Sequence, residues 1–126
     1  MSSLPYQTYR KPFFLQVKST DKPKGGWPVY TIPKDAGEMW QEKVKEYVAL
    51  GNNFFYVFVE LPTENKPEPA YYVVPSKEVA KVLIKLTQDS YGRNLKASGQ
   101  LLCLGYGGLE SETINKYQNK WELLFK

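Results

Sequence analysis

Histidine is absent from this chain, and cysteine occurs once. Without histidine, Ser-His-Asp and Cys-His catalysis are excluded, as are zinc sites that use histidine. The one cysteine, Cys103, cannot form an internal disulfide, and its leucine neighbours indicate a buried thiol rather than a nucleophile. Any bound metal is therefore expected to be a hard cation on oxygen ligands, most naturally Mg²⁺.

Long apolar runs are also missing. No stretch approaches the roughly 20 apolar residues that cross a bilayer, and residues 1–9 lack the apolar core of a signal peptide. With 126 residues, of which 42% are hydrophobic, we expect one globular cytoplasmic domain spanning residues 1–126. A net charge of +4 is compatible with a polyanionic partner but does not establish one.

Local patterns predict strands and helices along the whole chain. Residues 13–20 alternate as a strand, and residues 27–32 predict a second strand that runs antiparallel to it. Asp35 and Glu38 have the spacing of a capping box, which predicts a helix that continues to Leu50 and stops at Gly51.

Hydrophobic patterns also predict the elements of the second half of the chain. Residues 53–61 are apolar on both faces, which is typical of a central strand, and residues 70–74 predict its hairpin partner. A helix over residues 76–88, a short strand over 100–104 and a last helix from residue 109 through Leu124 complete the prediction. The expected fold is α/β (α+β), a mixed sheet of about four to five strands flanked by about three helices.

The first strand carries the pattern with the most chemical content. Side chains alternate across a strand, so Leu15 and Val17 are expected to face the core while Gln16 and Lys18 share the opposite face. A metal-assisted nuclease needs an oxygen ligand and a lysine two residues apart at a strand end, where both reach one phosphate.

The order of the elements adds a resemblance. The strand ending Gln-Val-Lys-Ser-Thr is followed by a Trp-containing strand, a helix, a Phe-Tyr-Val-Phe-Val-Glu-Leu strand, a Tyr-Tyr-Val-Val-Pro-Ser segment and a closing Lys-Trp-Glu-Leu-Leu. This order resembles the PD-(D/E)XK nuclease superfamily, whose restriction-endonuclease-like fold is a mixed sheet flanked by helices. The resemblance implies that Gln16 occupies the metal-ligand position and Lys18 the position of the catalytic lysine.

The chain departs from that family at its start. Active relatives carry an aspartate on a preceding strand, yet residues 1–12 contain no acid. A neutral Gln16 oxygen alone cannot hold a divalent cation that prefers several charged ligands. Three explanations stay open. The site is degenerate, another chain completes it, or an acid from elsewhere in this chain has moved into the site; the candidates are Asp21, Glu60 and Glu110.

These observations lead to three functional hypotheses. The first is a catalytically degenerate binding module, without a cofactor, that contacts nucleic acid through basic residues; these are Lys18, Lys22, Lys24, Arg93 and Lys96. The second is a Mg²⁺-dependent nuclease whose metal is held by Gln16 with Asp21 or Glu60. The third is a protein-interaction subunit or inhibitor. Loss of the family's first elements would leave an open sheet edge, so we also expect a homodimer or docking to a partner chain.

Overall fold

The computed structural model describes residues 12–21, 26–91, 99–105 and 109–125. The described chain is mixed α+β, with five strands, three α-helices and two short 3-10 helices. The strands are β1 (Phe14–Thr20), β2 (Trp27–Thr31), β3 (Phe54–Glu60), β4 (Ala70–Pro75) and β5 (Leu101–Leu104). The α-helices are α1 (Trp40–Tyr47), α2 (Ser76–Tyr91) and α3 (Leu109–Asn115), and the 3-10 helices are Gly37–Met39 and Trp121–Phe125. None of the described helices has the length and apolar character needed to span a bilayer.

The strands divide between two sheets. The larger sheet is mixed and has the order β1-β3-β4, with β1 parallel and β4 antiparallel to β3. The smaller sheet pairs β2 with β5 in antiparallel orientation. The prediction of a mixed sheet is confirmed, as are the central position of β3 and its hairpin with β4. The five described strands form two sheets, however, and not one sheet of four to five.

The predicted pairing of β2 with β1 is wrong. Trp27 at the start of β2 is fully buried, and its ring packs against Phe58 and Tyr72 with centroid distances of 5.3 and 5.8 Å. Its indole Nε1–H donates a hydrogen bond of 2.9 Å to the Val59 carbonyl of β3. The tryptophan therefore holds β2 over the face of the larger sheet, so that β2 is not placed beside β1.

Two hydrophobic clusters lie on opposite faces of the larger sheet. The main core lies between α1, α2, the smaller sheet and one face of β3 and β4, which contributes Tyr56, Phe58, Tyr72 and Val74. The second cluster, on the other face, comprises Phe55, Val57, Val73 and Leu124. Because both of its faces are covered, β3 carries apolar side chains at nearly every position.

The predicted start of the first helix is wrong. The chain enters through the 3-10 helix Gly37–Met39, and α1 begins at Trp40 without a side-chain cap. Gly37 has a φ of +56°, a conformation that cannot lie inside a right-handed helix beginning at Asp35. The helix also ends at Tyr47, before the predicted end at Leu50.

The last predicted helix is interrupted. Helix α3 ends at Asn115, and the next residues run along the outer edge of β4, where the Val73 N–H donates to the Tyr117 carbonyl over 3.1 Å. The Asn119 N–H donates to the Tyr71 carbonyl over 2.9 Å, with Asn119 at a φ of +58°. The helix breaks because residues 117–119 supply backbone partners to the edge of β4.

Strand β1 is less buried than its alternation predicts. Leu15 is 42% exposed and Val17 63% exposed, so their predicted core positions are wrong. Both residues lie on an edge strand of the larger sheet, where no described layer covers their side chains.

Candidate functional site

Gln16 and Lys18 share one face of β1, as the alternation predicts. In the parallel ladder Gln16 lies opposite Tyr56 and Lys18 opposite Phe58, whose side chains belong to the main core. Gln16 is exposed and Lys18 is half-buried. The two side chains therefore lie at the rim of the core face, on the strand that forms the sheet edge.

The acids predicted to join them are placed differently. Asp21 is exposed and follows the last residue of β1. Glu60 is buried opposite Thr20 in the ladder, and its carboxylate lies 3.2 Å from the Lys66 ammonium. The Glu60 carboxylate is therefore already in an ion pair with Lys66. Burial raises the pKa of Tyr72, and the Glu60 charge raises it further.

Several predicted residues lie where the structure says nothing of their side chains. Lys22, Lys24, Arg93 and Lys96 fall outside the described residues, and Glu110 has a described backbone only. Within residues 12–21, 26–91, 99–105 and 109–125, no group of three or more acidic or cysteine side chains could share a cation. A metal site built from Gln16 with Asp21 or Glu60 stays a prediction.

Cys103 was predicted to be buried and is half-buried in β5. Burial raises the pKa of its thiol above the ordinary value of 9.0. A raised pKa lowers the fraction of thiolate at neutral pH, so this environment does not activate a nucleophile.

A basic groove lies between α1 and α2. Its cavity has a volume of about 480 Å³. The residues that line it are Gln41, Lys45, Ala49, Lys77, Ala80, Lys81, Ile84 and Gln88. On α2 these residues recur once per turn, with the adjacent pair Ala80 and Lys81 in one turn, so they form one stripe along the helix.

The groove combines cationic sides with an apolar floor. Lys45 of α1 and Lys77 and Lys81 of α2 provide three ammonium groups, and none of the described lining residues is acidic. None of the three forms an ion pair with another side chain in the described part of the chain. Ammonium and amide groups donate hydrogen bonds to phosphate or carboxylate oxygens, so this groove is suited to an anion.

Neighbouring lysines provide a contrast. The Lys85 ammonium lies 3.9 Å from the Asp89 carboxylate, and the Lys116 ammonium lies 4.0 Å from that of Glu78. In the described part of the chain, acidic partners therefore pair with lysines beside the groove but not with the lysines of its lining.

Sequence reasoning missed this groove. No motif or resemblance singled out Lys45, Lys77 or Lys81. One signal was present, because lysine recurs every fourth residue at Lys77, Lys81 and Lys85 with no acid between them at that spacing. The approach of Lys45 depends on the packing of α1 against α2, which no local pattern encodes.

Comparisons with protein-family models, with curated proteins and with solved structures find no match for this chain. The resemblance to the PD-(D/E)XK superfamily therefore stays a prediction from the residues.

Proposed function

We propose that this chain is a binding module that holds the phosphate backbone of nucleic acid in the basic groove between α1 and α2. Its scaffold would be restriction-endonuclease-like, with a degenerate nuclease centre at Gln16 and Lys18. The observation that carries the proposal is the placement of Lys45, Lys77 and Lys81 in one groove with no described acid on its lining.

The spacing of the lysines supports a polymer with regularly placed anions. Lys77 and Lys81 are four residues apart on α2, which corresponds to about 6 Å along a helix with a rise of about 1.5 Å per residue. A strand of duplex DNA carries one phosphate per about 3.4 Å of axis, so phosphates two steps apart are separated by about 7 Å along the axis, close to the spacing of the two lysines. Lys45 faces the same groove from α1 and provides a third contact.

The chemistry also indicates what kind of recognition to expect. Lysine ammonium groups act as point charges on phosphate oxygens and carry no information on base identity. Three neutralised phosphates predict a slope of log affinity against log salt of about −2.7 for duplex DNA and about −2.1 for single strands. Binding should therefore be salt-dependent and largely independent of sequence.

A charge-neutralising double variant tests this proposal. Lys77→Gln with Lys81→Gln removes two groove cations and keeps good helix formers in α2. The matched control is Lys43→Gln with Lys85→Gln, which removes the same total charge from residues outside the groove lining. Binding of fluorescently labelled duplex and single-stranded oligonucleotides is measured by anisotropy across a range of salt concentrations.

The groove variant should lose affinity and its salt slope should fall by about 2, one unit for each phosphate contact. The control should keep most of the parent slope. Absence of binding by the parent, or equal loss in both variants, would overturn the proposal. Plasmid cleavage in Mg²⁺ that is lost in Lys18→Ala would overturn the degenerate centre and favour the nuclease hypothesis.

A further inference from the structure

On the outer edge of β1, the backbone groups of Leu15, Val17 and Ser19 have no partner strand in the described part of the chain. The Phe14 N–H donates to the Asn53 carbonyl over 2.9 Å, and the Thr20 carbonyl accepts from the Leu61 N–H over 2.7 Å. In a parallel ladder alternate residues of a strand face the same neighbour, so the even-numbered residues of β1 bond to β3. The N–H and C=O groups of Leu15, Val17 and Ser19 therefore point away from the sheet, where no described strand pairs with them.

This edge is the longest regular one in the described part of the chain. Residues 117–119 cover the outer edge of β4. The edges of the smaller sheet are short, because β5 has four residues and β2 has five, with Pro28 and a shift of register inside β2. Short edges, prolines and irregular register disfavour pairing with another strand, whereas the seven residues of β1 lack these features.

The edge also exposes apolar surface. Phe14 is 54% exposed, and Leu15 and Val17 lie beside Phe55 and Val57 of the second cluster. The exposed pair therefore extends that cluster up to the edge of the sheet. A strand added beside β1 would cover this surface and satisfy its backbone groups at the same time.

We propose that a second copy of this chain adds to the edge, with the two β1 strands antiparallel about a two-fold axis at Gln16. Leu15 then lies opposite Val17 of the partner subunit, and Gln16 lies opposite Gln16 of the partner subunit. Phe14 lies opposite Lys18 of the partner subunit. The dimer has one continuous sheet of six strands.

Charge disfavours registers whose axis lies closer to Lys18. Lys18 is the single ionisable side chain in residues 12–20. An axis at Gln16 separates the two Lys18 positions by four residues, about 13 Å along the strand, which exceeds the screening length of about 8 Å at physiological salt. An axis at Lys18 places the like charges directly opposite each other, and one at Val17 pairs Leu15 with Ser19 of the partner subunit.

This inference goes beyond the proposed function, because the groove is formed by α1 and α2 and does not include β1. Its test is the mass of the full chain by sedimentation equilibrium, with two chains of 14.5 kDa expected in the particle. Val17→Lys should raise the dissociation constant of the dimer by about tenfold or more, a change of about 1.4 kcal/mol. Met39→Lys, an equally apolar-to-charged change at an exposed residue outside β1, should leave it unchanged.

Disulfide formation tests the register in a Cys103→Ser background. Gln16→Cys should form a covalent dimer on mild oxidation, because a non-hydrogen-bonded antiparallel pair has Cα atoms about 4.5 Å apart, within disulfide range. Val17→Cys should crosslink more slowly. A monomer at all concentrations, a dimer insensitive to Val17→Lys, or a monomer that dimerises only after removal of residues 1–11 would overturn the proposal.

Discussion

Replacing Trp27 by phenylalanine should destabilise the fold strongly, because this side chain connects the two sheets. It is fully buried, packs against Phe58 and Tyr72, and donates its indole N–H to the Val59 carbonyl over 2.9 Å. Phenylalanine keeps an aromatic ring in the core but has no donor. The Val59 carbonyl would then lose its bond to the indole.

The magnitude follows from two terms. The Val59 carbonyl is partly buried and also belongs to the β1–β3 ladder, so loss of the indole hydrogen bond costs about 0.5–1.5 kcal/mol. The smaller ring buries roughly 40 Å² less apolar surface, which is about 1 kcal/mol at about 25 cal/mol/Å². We therefore expect Trp27→Phe to lower the free energy of unfolding by about 1.5–2.5 kcal/mol, a large part of the roughly 5–15 kcal/mol typical of a domain.

Urea unfolding followed by far-ultraviolet circular dichroism measures this loss without relying on tryptophan fluorescence. Trp121→Phe is the matched control, because Trp121 is 39% exposed and should change the free energy of unfolding by less than about 1 kcal/mol. Equal stability of the two variants would refute the assignment of Trp27 as the anchor between the sheets.

Three further changes test separate parts of the structure. Ser76→Ala should lower the free energy of unfolding by about 2 kcal/mol in thermal denaturation, because the buried Ser76 hydroxyl donates to the Gly51 carbonyl and accepts from the Leu50 N–H, each over 3.1 Å. Burial raises the pKa of Tyr56 above 10.0, so the native state keeps a proton that the unfolded state releases. The stability that Tyr56 contributes should be fully present below pH 10 and be lost as pH rises through the folded pKa, as seen by tyrosinate absorbance and circular dichroism together. The thiol of Cys103 should react with a disulfide reagent more slowly than a free cysteine, because burial raises its pKa.

For each of these three predictions, one experimental outcome would contradict the structural interpretation behind it. Full stability of Ser76→Ala would show that the hydroxyl does not bridge the two backbone groups. A fold that keeps its full stability well above pH 10 would contradict the burial of Tyr56, and unhindered reaction of Cys103 would contradict that of the thiol.

Local patterns, formed by residues that are close in sequence, predicted most of the larger sheet. The apolar faces of residues 53–61 identified β3 as the central strand, and the hairpin with β4 and the start of α2 at Ser76 followed from the loop and the serine. Contacts distant in the chain decided the rest. Trp27 packs across the larger sheet, and residues 117–119 leave the helical pattern to bond with β4, neither of which local periodicity encodes.

The candidate site was predicted in part for the same reason. The shared face of Gln16 and Lys18 follows from alternation within one strand, which is a local property. The ion pair of Glu60 with Lys66 and the approach of Lys45 to Lys77 depend on how the loop after β3 and the two helices pack. Side-chain contacts between separate elements could therefore be identified only from the structure.

The parallel pairing of β1 with β3 has a consequence for the order of folding. Residues 21–53 separate these two strands, whereas residues 61–69 suffice to connect β3 with β4. Closure of the longer connection costs more chain entropy, so the hairpin and α2 should form early and the first strand should dock late. Amide hydrogens of β1 should accordingly exchange with solvent through partial opening of the molecule, while those of β3 and β4 exchange after complete unfolding.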